Sequence, residues 1–252
     1  MFTYFFKREI RDKYLGNLTG FSWIFIQPII TLIIYWFVFD QIFTQRFSDG
    51  EQSVGFIVYL AIGFWPWLAF SESVISSITA VSDKTELIGK IKIDLKTLVF
   101  ATIVAKFSLH MIGYLIVLFG LTIFYETLSF SSIIFIIFPL FQMFLFALAL
   151  GFLLSSIHIF IRDTLQFMTT FMTLWFFTTP IIYSVSIIPV KYLSIIQINP
   201  LYIPITFIHN AILGTGELMW LNLGVLTLIT LLMLFLSIRV FNKLSPNFED
   251  FK

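Results

Sequence analysis

Residues 130–157 read FSSIIFIIFPLFQMFLFALALGFLLSSI, 28 positions without a charged side chain. A helix needs roughly 20 residues to cross a hydrocarbon core of about 30 Å, and this run exceeds that length. In lipid each backbone amide must be satisfied within its own segment, so the run predicts a helix and not an open strand. Five further stretches meet the same test, at 21–43, 54–81, 98–124, 164–184 and 218–238. The fold class expected is therefore all-α, a polytopic membrane protein with six transmembrane helices in one domain covering 1–252.

Composition agrees with the run. Hydrophobic residues make up 59% of the chain and charged residues 12%, with a mean hydropathy of +0.97. A soluble domain devotes about a quarter of its residues to charge, so lipid has to be part of this chain's solvent. There is no cysteine, which excludes disulfides and thiolate metal sites, and no metal ligand set is expected. The net charge of +1 gives no footprint for nucleic acid.

The small net charge hides an asymmetry that sets orientation. Of the 15 Lys and Arg residues, twelve fall in alternate connections: Lys7, Arg8, Arg11 and Lys13; Lys84, Lys90, Lys92 and Lys96; Arg162; and Arg239, Lys243 and Lys252. The intervening connections hold Arg46 and Lys191, and Lys106 lies inside the third span. Basic residues in short loops stay cytoplasmic, so both termini are expected there. The opening MFTYFFKREIRDKYLGN has no small-residue cleavage site and does not read as a secretory signal. Instead 1–17 predicts an interfacial helix, with Phe2, Phe5, Phe6, Ile10 and Tyr14 on one arc and Lys7, Arg8, Arg11 and Asp12 on the other. Glu9 and Lys13 fall within the apolar arc at a spacing that lets them pair.

The stretch 185–217 is apolar but carries Pro189, Pro200 and Pro204, so no straight helix can cross there. Two short helices dipping into the outer leaflet are expected. Thr178-Thr179-Pro180 predicts a bend or a helix end just before it. The tail Ser245–Lys252 reads as a solvated end. Trp23, Trp65, Trp67, Trp175 and Trp220 read as anchors at the membrane interfaces, and most of the remaining aromatic rings as lipid-facing.

Residues 160–201 run FIRDTLQFMTTFMTLWFFTTPIIYSVSIIPVKYLSIIQINPL. This string resembles the signature of the ABC-2 type permease family at Phe160, Arg162, Asp163, Gln166, Phe167, Thr179, Pro180, Ile181, Tyr183, Asn199, Pro200 and Leu201. The plan of the whole chain is similar too: amphipathic start, six spans, charged loop after the second, broken segment before the last. Length and aromatic richness resemble the O-antigen polysaccharide export permeases of the Wzm type most. Two positions depart from the pattern. Ile93 and Asp94 stand where relatives commonly have Phe-Pro, and His209 stands where many carry Arg.

The resemblance implies a permease subunit that works as a homodimer with two separate ATP-binding cassette ATPase subunits and moves a lipid-linked polysaccharide. The chain has no G-x-x-x-x-G-K-S/T loop, so ATP and magnesium would sit on the partner subunit. Asp83 as N-cap and Glu86 at the third position predict a short cytoplasmic helix after Ser82. By resemblance, 82–97 is then the coupling loop that rests on the ATPase through Asp83, Lys84, Glu86, Leu87, Ile88 and Lys90, and 185–217 is an outer gate. The alternative for Asp83 and its neighbours is a solvated loop whose lysines only enforce topology.

Other functions compete. Export of teichoic acid, capsule, a drug or a small lipid fits the same plan. A polytopic acyl or glycosyl transferase would need clustered acids, bases or metal ligands, and the acids here stand singly among lysines. His158-x4-Asp163 is a loose match to an acyltransferase motif, but with three histidines in the chain no catalytic residue is assigned. A channel or secondary transporter would need a relay of intramembrane ionisable groups, and Glu72, Lys106 and His110 are the candidates. Counting from the ends of spans two and three puts Glu72 and Lys106 level, which predicts an intramembrane ion pair, either a static brace or part of a channel wall.

Overall fold

The computed structural model describes residues 2–14, 22–42, 55–84, 94–124 and 132–251. These residues form helices α1 (Phe2–Tyr14), α2 (Trp23–Trp36), α3 (Phe56–Ile78), α4 (Leu95–Phe124), α5 (Ser132–His158), α6 (Thr164–Thr178), α7 (Val190–Gln197), α8 (Tyr202–Leu213) and α9 (Trp220–Leu244). A π-helical segment, Phe37–Ile42, extends α2. Among the described residues, four helices are long and apolar enough to cross a membrane: Phe56–Ile78, Leu95–Ile123, Ile134–His158 and Trp220–Phe248.

Side-chain contacts fix how the helices run. Phe70 meets Phe146 at 5.4 Å, and a Cβ on Gly151 would touch Ser77, so α3 and α5 are parallel. Phe138 faces Trp220 at 6.2 Å and Phe152 faces Phe241 at 5.7 Å, so α5 and α9 are parallel as well. Tyr35 meets Phe64 and Phe39 meets Phe56, which makes α2 antiparallel to α3. Tyr114 opposite Ile62 and His110 opposite Glu72 make α4 antiparallel to α3 too. Because α9 starts level with the first turns of α5, the chain from His158 to Trp220 has to return across the full thickness.

That return is not one straight helix. The sequence predicts a span over 164–184, whereas α6 stops at Thr178, after 15 residues or about 22 Å. Thr179 is extended at φ −100°, ψ 137°, and Pro180 has no amide with which to continue the ladder. The hydroxyls of Thr178 and Thr179 close on the Trp175 carbonyl at 3.0 and 2.8 Å, which caps the end. A 3₁₀ turn at Val185–Ile187, then α7 and α8, complete the return. The two short helices match the expectation for the broken segment. The last helix runs to Leu244, six residues past the predicted 238.

The core lies on α3, whose residues from Leu60 to Trp67 are all buried. Pro66 sits inside this helix and cannot donate to the carbonyl four residues back. That carbonyl, on Ile62, accepts the hydroxyl of fully buried Tyr114 at 3.1 Å. One helix's missing donor is thus supplied by its neighbour. Next to it, Gly113 gives α4 the space for the Trp65 ring, because a Cβ there would stand 2.7 Å from the indole nitrogen.

Two expectations about aromatic rings are corrected. Trp65, Trp67 and Trp175 are 0, 4 and 8% exposed and pack in the protein core, not at an interface; Trp23 and Trp220 are about half exposed. Trp67, Phe70, Phe146 and Trp175 form one cluster with centroids 5.4 to 6.3 Å apart, in which Trp175 meets the other three rings edge to face and Phe70 stacks on Phe146, arrangements that satisfy ring quadrupoles as well as area. The tail is likewise not simply solvated. Ser245–Phe251 winds as a 3₁₀ helix that buries Phe248 against Phe241 and Phe160.

Candidate functional site

Among the family-like residues, Thr179, Pro180, Tyr183, Asn199 and Leu201 converge at the junction where α6 ends. Asn199 uses its whole hydrogen-bonding capacity there. Its Nδ2 donates to Thr179 Oγ1 at 2.9 Å and to the Thr178 carbonyl at 3.2 Å, while Oδ1 accepts from Trp175 Nε1 at 2.8 Å and from the Leu201 amide at 2.9 Å. A single amide therefore ties the start of α8 to the broken end of α6. Pro180 makes the break and Pro200 lies beside Asn199 in the turn into α8.

A second set of bonds ties this junction to α3. The Tyr59 hydroxyl donates to the Tyr183 carbonyl at 3.0 Å, and the Tyr183 hydroxyl to the Phe177 carbonyl at 3.2 Å. His209 on α8 stacks its ring on Tyr59 at 3.9 Å, 6° from parallel, and donates from Nε2 to the Tyr59 carbonyl at 2.9 Å. Its Nδ1 is buried without a hydrogen-bond partner. Gly63 makes the stack possible, since a Cβ there would lie 2.7 Å from the imidazole. Tyr59 was missed in the sequence, because nothing local to an apolar helix marks a residue bonded more than 120 positions away.

At the other end of α6, Arg162 and Asp163 are exposed in the turn that opens the helix, Asp163 occupying the N-cap position. At this end, too, α1 packs on the first turns of α4. Phe5 is buried against Leu98 and Ala101, and Phe2 meets Phe100 at 5.6 Å. Part of the arc predicted to enter lipid is thus covered by protein. Phe6 and Arg8 are half-buried and Arg11 is exposed.

The coupling residues are split. Asp83 and Lys84 lie in a 3₁₀ turn, Ser82–Lys84, after α3; Glu86, Leu87, Ile88 and Lys90 fall outside the described residues, as does the helix predicted to contain them. Asp83 is exposed. Lys84 turns inward, pairs with Glu9 of α1 and lies 5.5 Å over the Phe5 ring. The sequence offered Lys13 as the partner of Glu9; the side chain of Lys13 is outside the described residues.

Midway along the α3–α4 hairpin, Glu72 Oε2 lies 3.3 Å from His110 Nε2. Lys106, one turn before His110 on the same face of α4, is 8% exposed. Between α2, α3 and α6 a cavity of about 240 Å³ opens beside Glu72, bounded by polar and aromatic side chains from all three helices.

Residues 2–213 match the family model described as ABC-2 type transporter. An O-antigen export system permease protein, RfbA, of Myxococcus xanthus is 27% identical over 182 residues, 72% of this chain and 67% of that protein. Two proteins of the same name from Klebsiella pneumoniae are each 22% identical, over 244 and 245 residues, 96% of this chain and 91% of theirs.

Proposed function

The chain belongs to the ABC-2 type transporter family, and from that premise we propose that it is the permease subunit of an exporter carrying lipid-linked, O-antigen-like polysaccharide across the bacterial inner membrane. The observation that supports the reading most is similarity across nearly the whole chain to O-antigen export permeases. Two copies form the conduit, and two separate ATPase subunits hold ATP and magnesium and supply the work. Both termini are cytoplasmic, the helical runs α2, α3, α4, α5, α6 and α9 make six crossings, and α6 needs the segment after it to complete its own.

On this reading the two ends of the molecule have separate tasks. The turn Ser82–Lys84 and α1 receive the motion of the ATPase, and the Glu9–Lys84 pair carries it into α4 through Phe5. The junction at Thr179, Asn199 and His209 forms the outer gate, fastened to α3 through Tyr59.

Deleting the chain in its own host and restoring it from a plasmid tests the proposal. The deletion removes long polysaccharide from the cell surface while polyprenyl-linked polymer accumulates inside, and the plasmid reverses both. Unchanged surface glycan in the deletion strain would overturn the reading.

A further inference from the structure

We propose that the outward face of α9 holds an acidic phospholipid, its phosphate between Arg239 and Lys243 and its acyl chains along the apolar stripe that precedes them. The site belongs to the leaflet bordering the pole of the Ser82–Lys84 turn, which the reading above makes the cytoplasmic one.

Helical spacing builds the stripe. Leu221, Val225, Leu228, Leu232 and Leu236 recur at intervals of three and four, so they share one side of α9, and each is at least half exposed. Arg239 and Lys243 continue the series at the same intervals. The opposite side of the helix is occupied, since Thr230 meets Gln142 at 3.2 Å and Phe241 meets Phe152, both on α5. The stripe therefore faces away from α5.

Length sets the depth of the charges. Trp220, about half exposed, opens α9 at the other membrane interface. At 1.5 Å per residue, Leu236 lies about 22 Å from Leu221, Arg239 about 27 Å and Lys243 about 33 Å. A hydrocarbon core of about 30 Å thus ends between the two cations, at the border with the phosphate layer.

Charge then selects the lipid. Arg239 and Lys243 are both exposed, and Trp220–Leu244 contains no acid to offset them. The Arg239 guanidinium lies 4.4 Å over the Phe235 ring, one turn back along the helix. Helical side chains lean toward the N-terminus of their helix, and this contact holds the charge at the edge of the hydrocarbon instead of out in water. A ring face offers no oxygen to the five N–H donors of a guanidinium, and among the described residues no carboxylate faces either cation. A phosphodiester meets that need, because the planar fork takes two phosphate oxygens and Lys243 adds a second positive charge one turn on. In a zwitterionic lipid the ammonium group cancels the phosphate, whereas an acidic lipid keeps its net negative charge for the pair.

The test uses the chain in complex with its ATPase, purified in detergent, stripped of lipid and titrated with phosphatidylglycerol or phosphatidylcholine, with bound lipid counted by native mass spectrometry. Wild type is expected to take phosphatidylglycerol on the order of tenfold more tightly, and photoactivatable chains of that lipid to crosslink within 220–244. Arg239→Gln and Lys243→Gln each keep the other cation and lose about threefold of the preference, and the double variant loses most of it. The single variants decide the matter where the double variant does not assemble. Lys191→Gln, at the opposite pole, leaves the preference unchanged. Equal affinity for the two lipids, a preference untouched by either single variant, or displacement of phosphatidylglycerol by inorganic phosphate alone would each overturn the inference. So would a disulfide between two copies through Leu232→Cys in a chain with no other cysteine, since a second copy would then cover the stripe. None of these outcomes depends on what the chain exports.

Discussion

Tyr114 shows how much one hydroxyl can do in a helix that water does not reach. Pro66 leaves the Ile62 carbonyl without its amide inside a fully buried stretch of α3, and the Tyr114 hydroxyl completes it at 3.1 Å. Tyr114→Phe keeps the ring and strands the carbonyl, so the variant should lose about 1 to 3 kcal/mol. Replacing Pro66 by Ala in the same background restores the intrahelical bond and should return most of that loss. Thermal unfolding of the purified chain measures both steps. Equal stability of wild type and Tyr114→Phe would show that the bond carries no net weight. Asn199 follows the same logic with more at stake, since all its donors and acceptors are used.

At the level of elements, the sequence is most legible where backbone chemistry decides the outcome. The uncharged run at 130–157 became α5, and Thr178-Thr179-Pro180 ended α6, because a missing amide acts regardless of what packs around it. Ring burial was not legible. Trp67 and Trp175 read as interface anchors because hydropathy cannot separate a face turned to lipid from one turned to protein when both are apolar. Helix register was partly legible: counting from the ends of the spans put Glu72 of α3 beside α4, where His110, one turn from Lys106, lies 3.3 Å from it. The docking of α1 was hidden for a related reason, since its apolar arc fits α4 as well as lipid. The Glu9–Lys84 pair that fastens it is partly buried, with side chains 19 and 9% exposed. A cycle of Glu9→Gln, Lys84→Met and the double variant should give a coupling of about 1 kcal/mol in the stability of the intact complex. If the pair also transmits motion, the ATPase working with each single variant exports less polymer per ATP hydrolysed. Additive effects on stability would reduce the contact to coincidence.

For the whole molecule, most of the described basic residues gather at one end once the chain is folded. Lys84 and Lys96 lie at the turn between α3 and α4, Arg162 at the turn into α6, and Arg239 and Lys243 at the close of α9. Parallel packing of α3, α5 and α9 puts the ends of all three at this pole, and α1 is fastened there through Lys84. Lys191, at the start of α7, belongs to the opposite pole, because Asn199 holds that segment to the far end of α6. By the rule that basic residues are retained on the cytoplasmic side, this pole is the one expected there, and cysteine labelling tests it. Both Lys191 and Lys243 are exposed, so each can carry a reporter without disturbing the core. In a chain with no other cysteine, Lys191→Cys should react with a membrane-impermeant maleimide in spheroplasts, and Lys243→Cys only after the membrane is opened. The reverse pattern would invert the molecule and put the Asn199 junction on the side of the ATPase. Labelling of both from outside would mean that the path from His158 to Trp220 does not cross the membrane, and that α6 with the turn behind it is too short to make the return.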